Sequence, residues 1–385
     1  MIERVEAGSP DELRERFAGR ESPLLISRSV AEDVRAECWS PSHLLEAVGE
    51  RTVSVLKAEG ERFDYDERGE RNYTDFKSTF AGALRIVSAA HSPGPCYYIR
   101  QASLKHLGLG SEGLVSESLI PARVARRSHL WLSSDGCVTP LHYDGKNNLL
   151  TQMHGAKRVT LLPPTEYARI YPYGVGHYAT HASRVNPEQV DAVKFPQFPK
   201  SLAVSFDLLA GDTLFIPAFW WHHIRSLELS VSVNDWWAAR PAQYLVEASV
   251  DYLRLRYKRD KLRQIFAPED DDLRPVHFAE LAAQAHARRL ACAATLFCGA
   301  STHALLESLA RAHGISPPAP GESALSYATA LAARGLISPQ EDRRAQLSLV
   351  LAELAATQGR TPKPSELETL ISETRAFVSQ RLRTN

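Results

Sequence analysis

The sequence predicts a mainly β fold with α: a jelly-roll core, an N-terminal α/β flank and an all-α C-terminal appendage. Three observations carry this expectation. Between residues 96 and 237, short runs rich in β-branched and aromatic residues are separated by Gly, Pro, Asp and Asn, with no helical stretch between them. Over residues 1–60, short polar helical segments alternate with short apolar runs, and residues 61–90 are polar and then helical. After Trp237 the composition turns to Ala, Leu, Glu and Arg in long helical stretches.

In chain order, residues 1–95 read as the flank. Ser9-Pro10-Asp11-Glu12 is a helix start, with Ser9 as the N-cap and proline in the first turn, and Ser40-Pro41 repeats the signal. Residues 23–26 and 53–56 are short enough to be strands, and Tyr73–Val87 reads as a helix. Residues 96–240 are the predicted jelly roll, with strands expected at 96–99, 130–132, 149–153, 158–162, 202–206, 213–216 and 229–233. The stretch 167–200 interrupts this rhythm with Pro172, Gly174, Gly176, Pro187, Pro196 and Pro199 and reads as a long insert, of the kind that forms lids or binding loops. Residues 241–266 are expected to form one long helix, a candidate dimer contact. Residues 275–385 are expected to hold helices at 277–297, 301–313, 322–334, 339–357 and 364–382.

Bulk properties exclude more than they assign. The 385 residues carry 45 basic and 45 acidic side chains, so no global field argues for nucleic acid or membrane binding. The basic run from Arg254 to Arg263 is interleaved with leucines and reads as a solvated helix face. No apolar run approaches the ~20 residues of a membrane span, and the first residues lack a signal-peptide core. Cys38, Cys96, Cys137, Cys292 and Cys298 are odd in number with no paired spacing, and read as reduced thiols of a cytoplasmic protein.

The chemistry concentrates at Thr139-Pro-Leu-His142-Tyr-Asp144 and at Trp220-Trp221-His222-His223. On a strand, residues i and i+2 share a face, so His142 and Asp144 would point together while Tyr143 points away. His222 follows the run 213–217 and an aromatic turn, and a barrel can return that region beside the first strand. Two imidazoles and one carboxylate on one face of a metal, with open positions opposite, suit a non-haem Fe(II) oxygenase. A lysine entering such a barrel must meet an anion or lose its charge, and a dicarboxylate is such an anion. Lys157 and Arg158 stand side by side at the start of a strand, and spacing alone leaves open which one enters. Thr139 adds a hydroxyl donor near His142. Phe219, Trp220, Trp221, Trp236 and Trp237 are candidates for a dry wall, or for ordinary core.

Taken together, Thr139–Asp144, Asn148–Arg158, Leu161–Pro164, Tyr171–Tyr173, Gly211–Pro217, Trp220–Ile224 and Val233–Trp237 resemble the cupin-like JmjC family of Fe(II)- and 2-oxoglutarate-dependent oxygenases. Within it, the likeness is strongest to the asparaginyl hydroxylase that inhibits hypoxia-inducible factor. It covers about residues 20–240. The resemblance implies a double-stranded β-helix with His142, Asp144 and His222 as iron ligands, His222 being preferred to His223 because it directly follows the paired aromatics. It implies that Lys157 meets the distal carboxylate of 2-oxoglutarate, helped by Thr139 and Tyr98, and that Asn148 and Asn234 hold the end that chelates iron. The implied reaction consumes O2 and 2-oxoglutarate, releases succinate, and hydroxylates a C–H bond of a protein or peptide side chain. Alternatives are a small metabolite or carrier-bound amino acid as substrate, lysyl demethylation, or a metal-binding cupin scaffold or sensor without turnover. The resemblance also suggests a homodimer through helices that follow the barrel.

Overall fold

A computed structural model gives the fold and describes residues 2–66, 68–122, 124, 126–174, 177, 179–258, 262–265, 273–317 and 324–382. The chain forms two compact units, Met1–Ala239 and Arg240–Asn385.

The first unit is built on strands β1 Glu3–Glu6, β2 Leu24–Ser27, β3 Thr52–Ala58, β4 Tyr73–Thr79, β5 Cys96–Ser103, β6 Arg126–Ser133, β7 Val138–His142, β8 Lys146–His154, β9 Lys157–Leu162, β10 Val204–Leu208, β11 Thr213–Ile216, β12 Trp221–Ser226 and β13 Ser230–Ala238. Among the described residues they make a 9-stranded sheet, in the order β1-β2-β11-β8-β13-β6-β5-β3-β4, and a 4-stranded sheet, β10-β9-β12-β7. From β6 to β13 the chain passes between the sheets, so that strands distant in sequence become neighbours. This is the jelly-roll pattern, and it brings β12 antiparallel to β7 with His222 opposite His142.

Alternation along β13 explains how one strand serves two environments. Val231 and Val233 pack on the outer side of the large sheet, against Phe80, Leu84 and Val87 of helix Phe80–Ala89. Ser232, Asn234 and Trp236 alternate with them, on the opposite face. All of these positions except the partly covered Trp236 are buried, so the polar alternation marks a lined interior and not a solvated face. On β8 the same parity separates Leu149, packed against Leu13 and Phe215, from Leu150, packed against Val159, Leu161 and Ile216. Gly155 turns β8 into β9 at φ +68°, and a Cβ there would stand 2.2 Å from the Leu229 carbonyl oxygen, so only glycine fits.

Several elements depart from expectation. The helix expected at Tyr73–Val87 begins only at Phe80, capped by Thr79, whose side chain accepts from the Gly82 amide. Tyr73–Thr79 instead pairs along the whole of β3. Strand pairing there overrides the local helical pattern. The cysteines are not all reduced: Cys96 at the start of β5 and Cys137 just before β7 form a disulfide, with Cα atoms 5.4 Å apart and a separation of 41 residues. Sheet topology, invisible in cysteine spacing, brings them together, and it removes the cysteine argument for a cytoplasmic location. Cys38, Cys292 and Cys298 are free thiols.

In the second unit the single helix expected at 241–266 is broken. Pro241–Tyr244 is a 3-10 turn in which the Gln243 side chain accepts from the Arg240 amide, and helix Ser249–Lys258 starts afresh after the Ser249 hydroxyl donates to the Tyr244 carbonyl. Leu262–Ile265 is a further 3-10 turn, and 259–261 and 266 lie outside the described residues. Next come helices Arg274–Ala287, Ala291–Ala312, Leu325–Ala333, Pro339–Gln358 and Pro364–Leu382. The expected break near 298–300 lies instead at Arg288–Leu290, where Arg289 has φ +59°. Gly299 sits inside a helix because its missing side chain admits Ala352, whose methyl would lie 2.2 Å from a Cβ at position 299. None of the helices, among the described residues, is long and apolar enough to cross a membrane.

Candidate metal centre

β7 ends at His142, and Asp144 lies just beyond it, so the carboxylate is carried by the strand end and not by the strand. The Asp144 carbonyl accepts from the Phe219 amide at 2.8 Å, which joins this segment to the turn that starts β12. Phe219 takes φ +68°, uncommon for a bulky residue. His222 is the second residue of β12, on a strand of its own and not trailing the 213–216 strand as expected.

The potential ligand atoms of His142, Asp144 and His222 all lie within 4.8 Å of one another. The imidazole centroids of His142 and His222 are 4.1 Å apart, and His222 Nε2 is 3.8 Å from Asp144 Oδ2. Each imidazole is tied back by its other nitrogen. His142 Nδ1 is 2.8 Å from the Pro140 carbonyl and His222 Nδ1 is 3.0 Å from the Trp220 carbonyl, so with Nδ1–H donating, both Nε2 lone pairs face the cluster. Burial, together with the neighbouring His222, pushes the His142 imidazole down to about 3, and burial pushes His222 down to about 4. Both rings are therefore neutral bases near neutral pH, the state a metal requires. This donor set, two neutral imidazole nitrogens and a carboxylate with a cavity opposite, fits an Fe(II) ion.

A cavity of about 150 Å³ opens over the cluster. His142, Asp144, Thr139, Tyr98, Arg100, Gln101, His181, Trp131 and Trp236 line it, with Tyr65 and Tyr73 at its aromatic margin. His181 comes from the 167–200 insert, which returns to β7 through the pairing of His142 with Ala182.

Strand parity separates the paired candidates. Lys157 is buried, with Nζ donating to Ser232 Oγ at 2.6 Å and lying 5.9 Å from the Tyr98 ring. Arg158, the next residue, points outward into a bidentate pair with Asp207 at 2.8 and 3.0 Å. Burial pushes the Lys157 ammonium down to about 7, as expected of a cation without an anion beside it. Tyr98 lines the cavity, and burial raises its phenol despite the neighbouring Thr139 hydroxyl; Tyr97 packs on the outer cluster. His223 is buried on the other side of β12 from His222, near Glu188.

Asn234 and Asn148 lie in the wall and not on the open cavity. The Asn234 side-chain oxygen accepts from Trp131 Nε1 at 2.8 Å, and the Asn148 side-chain oxygen is buried without a hydrogen-bond partner. Trp236 is the one candidate aromatic that lines the cavity. Phe219 and Trp221 are core, Trp237 stacks on Phe215 at 5.9 Å, and Trp220 donates to the Glu21 carbonyl.

Sequence reasoning missed Arg100, Trp131 and the tyrosine pair, whose hydroxyls are 2.7 Å apart. Arg100 was within reach, since it stands two residues from Tyr98 on one strand.

Comparison with known proteins agrees with this geometry. The cupin-like domain family matches residues 10–243, more than half of the chain. This chain belongs to that cupin-like JmjC family. Similar proteins include the Jumonji C domain-containing protein 5 of Drosophila melanogaster, 28% identical over 247 residues, which are 61% of this chain and 59% of that protein. The lysine-specific demethylase JMJ30 of Arabidopsis thaliana is 36% identical over 227 residues, 56% of this chain and 50% of that protein. The lysine-specific demethylase 8 of Danio rerio is 40% identical over 108 residues, 28% of this chain and 26% of that protein. The chain thus spans between a quarter and three fifths of the length of these relatives. Members of the JmjC family use Fe(II) and 2-oxoglutarate. These relatives bear the names of JmjC proteins and lysine demethylases, which do not show the expected likeness to an asparaginyl hydroxylase.

Proposed function

We propose that the chain is an Fe(II)- and 2-oxoglutarate-dependent dioxygenase that hydroxylates a C–H bond of a protein or peptide side chain. The observation that carries the reading is the convergence of His142, Asp144 and His222, two neutral imidazoles and a carboxylate, beneath an open cavity. In this reading the three side chains hold the iron, which when bound supplies the oxidising chemistry with O2. Lys157 meets the distal carboxylate of 2-oxoglutarate; with only a serine hydroxyl at hand, its ammonium is stabilised by such an anion. Thr139 and Tyr98 add hydroxyls at that end. Asn148 and Asn234, buried in the wall, orient the chelating end through their side-chain NH2 groups, since its keto and carboxylate oxygens accept and do not donate. Trp131, Trp236, Tyr65 and Tyr73 keep the cavity dry, which strengthens every polar contact within it.

The names of the relatives, lysine-specific demethylases, favour a protein or peptide substrate over a free metabolite. Lysyl demethylation is the second reading, favoured by the names of the relatives. It follows from the same chemistry directed at an N-methyl carbon.

Incubation with Fe(II), ascorbate, 2-oxoglutarate and candidate peptides tests both. Succinate with one oxygen atom added to the peptide supports hydroxylation, and formaldehyde with loss of a methyl group supports demethylation. No succinate under any condition, with or without peptide, leaves only a metal-binding scaffold.

A further inference from the structure

Arg100 follows Tyr98 by two residues on β5 and lines the cavity together with Thr139, His142, Asp144 and His181. The strand bulges immediately after it, with Gln101 at φ +56°. Arg100 is exposed, at the open side of the cavity. Of the other arginines around the barrel, Arg62 is paired with Asp64 at 2.8 Å, Arg158 with Asp207 at 2.8 Å, and Arg225 with Glu61 at 2.9 Å and Glu188 at 2.6 Å, while the exposed Arg127 and Arg184, which do not line the cavity, have no ion pair among the described residues. Arg100 forms no ion pair or side-chain hydrogen bond among the described residues, and Asp144 is the only carboxylate in the cavity wall. Its charge is felt at both Tyr98 and His181, the groups that flank it on β5 and on the insert.

What sets Arg100 apart is its place on the cavity and not its lack of a partner, since water solvates an exposed guanidinium. On the reading proposed above, a divalent metal, Asp144, a dianionic co-substrate and Lys157 balance to zero. Arg100 is then one positive charge in excess, at the mouth and not at the buried end where Lys157 already stands. A guanidinium at the mouth of an aromatic-walled cavity can bind a carboxylate through a planar, bidentate pair and repels an ammonium.

We propose that Arg100 is a specificity-determining residue that selects a carboxylate-bearing target: an Asp or Glu side chain, or a peptide C-terminus, presented to the metal. This inference rests on the dioxygenase reading and names its substrate class. It sets the chain apart from a lysine-directed enzyme, because a methylated ammonium entering the cavity would face the guanidinium.

The test uses the full chain and pentapeptides acetyl-Gly-Gly-X-Gly-Gly-amide, with X as Asp, Glu, Asn, Gln or Lys, plus an all-glycine peptide with a free or an amidated C-terminus. Binding is followed by calorimetry and turnover by succinate release and peptide mass. The expected result is a preference of about tenfold or more for Asp over Asn or Glu over Gln, or for the free over the amidated terminus, which identifies the source of the carboxylate. Arg100→Glu should abolish that preference and turn it toward Lys, while Arg100→Lys should keep much of it. A melting temperature within the wild-type range for Arg100→Lys guards against misfolding. Equal binding of charged and amide peptides, or an Arg100→Glu variant with unchanged selectivity, overturns the inference while leaving the dioxygenase reading intact. So does an Arg100→Lys or Arg100→Glu change that raises the KM for 2-oxoglutarate and leaves peptide selectivity alone. Absence of succinate in every arm instead overturns the dioxygenase reading.

Discussion

At His142 and His222 the carbonyls of Pro140 and Trp220 fix which nitrogen carries the proton, so each ring offers its Nε2 to the cluster. Asp144 completes the set from a strand end, where a short carboxylate can turn toward both rings. Asp144→Ala is therefore expected to lower metal affinity by more than the roughly 10- to 100-fold seen when an outer-shell partner is lost. Titration with Co(II), read by its visible absorption, measures this without any turnover, and an unchanged affinity would remove Asp144 from the set. Lys157 makes a second prediction. Its ammonium titrates near 7 when folded and near 10.5 when free, so between those values the unfolded chain binds more protons and stability rises with pH. Below about 7 the full penalty of burying the ammonium is present. Lys157→Met should then stabilise the ligand-free protein, by an amount on the order of a few kcal/mol at pH 6, and the gain should shrink steadily from pH 7 to 10. Denaturant melts across that range check the slope; a flat difference would mean the lysine finds water or an anion in solution.

Single elements show where local pattern and tertiary context compete. The residues of β4 have a helical rhythm that runs into Phe80–Ala89, yet pairing with β3 claims them as strand up to the Thr79 cap. β8 and β13 are central strands whose two faces meet different partners, which is why their polar positions are buried. The turn between β8 and β9 depends on Gly155. Gly155→Ala is expected to lower stability by at least ~1–2 kcal/mol from the left-handed backbone alone, with the contact against the Leu229 carbonyl adding to it. A shift in the urea midpoint reads the effect. The disulfide between β5 and the segment before β7 closes a long loop beside Tyr98 and Thr139. Cys96→Ser should lower stability in oxidising buffer by up to ~4 kcal/mol in the chain-entropy account, seen as a lower melting temperature, and make little difference when the wild type is already reduced. Equal melting points in oxidising buffer would show that the bridge does not stabilise the native state.

On the scale of the whole molecule, the chain divides into a β unit, Met1–Ala239, that contains the entire candidate centre, and a helical unit, Arg240–Asn385, with an apolar core of its own around Leu306, Leu331 and Phe377. A chain ending at Ala239 is expected to retain the Co(II) titration of the full protein, since every ligand and every wall residue lies before that point. Loss of metal binding in a folded truncated chain would place part of the centre's support in the helices. Sedimentation of the full and truncated chains addresses the expected homodimer. The single helix 241–266 is no longer its obvious seat, since that segment is broken by Pro241 and by the fresh start at Ser249.

The candidate metal ligands were legible because their chemistry is local: His142-x-Asp144 and His222 carry the right donors, and short β-rich runs imply a barrel that can gather them. Lys157 was legible as a cation at the start of a strand, and the helical appendage as a change in composition. What periodicity could not resolve was parity and pairing. Whether Lys157 or Arg158 enters, whether Tyr98 or Tyr97 faces the cavity, and which of Trp236 and Trp237 lines it are settled by which face of a strand is covered, and that depends on neighbours far away in sequence. The same holds for the Cys96–Cys137 bridge and for Arg100 beside His181, both made by chain segments that meet only when the sheets close. Donor type and strand propensity reside in single residues and short windows. Facing, partnering and the surplus charge at the cavity mouth exist only after β5, β7, β12 and the insert have come together.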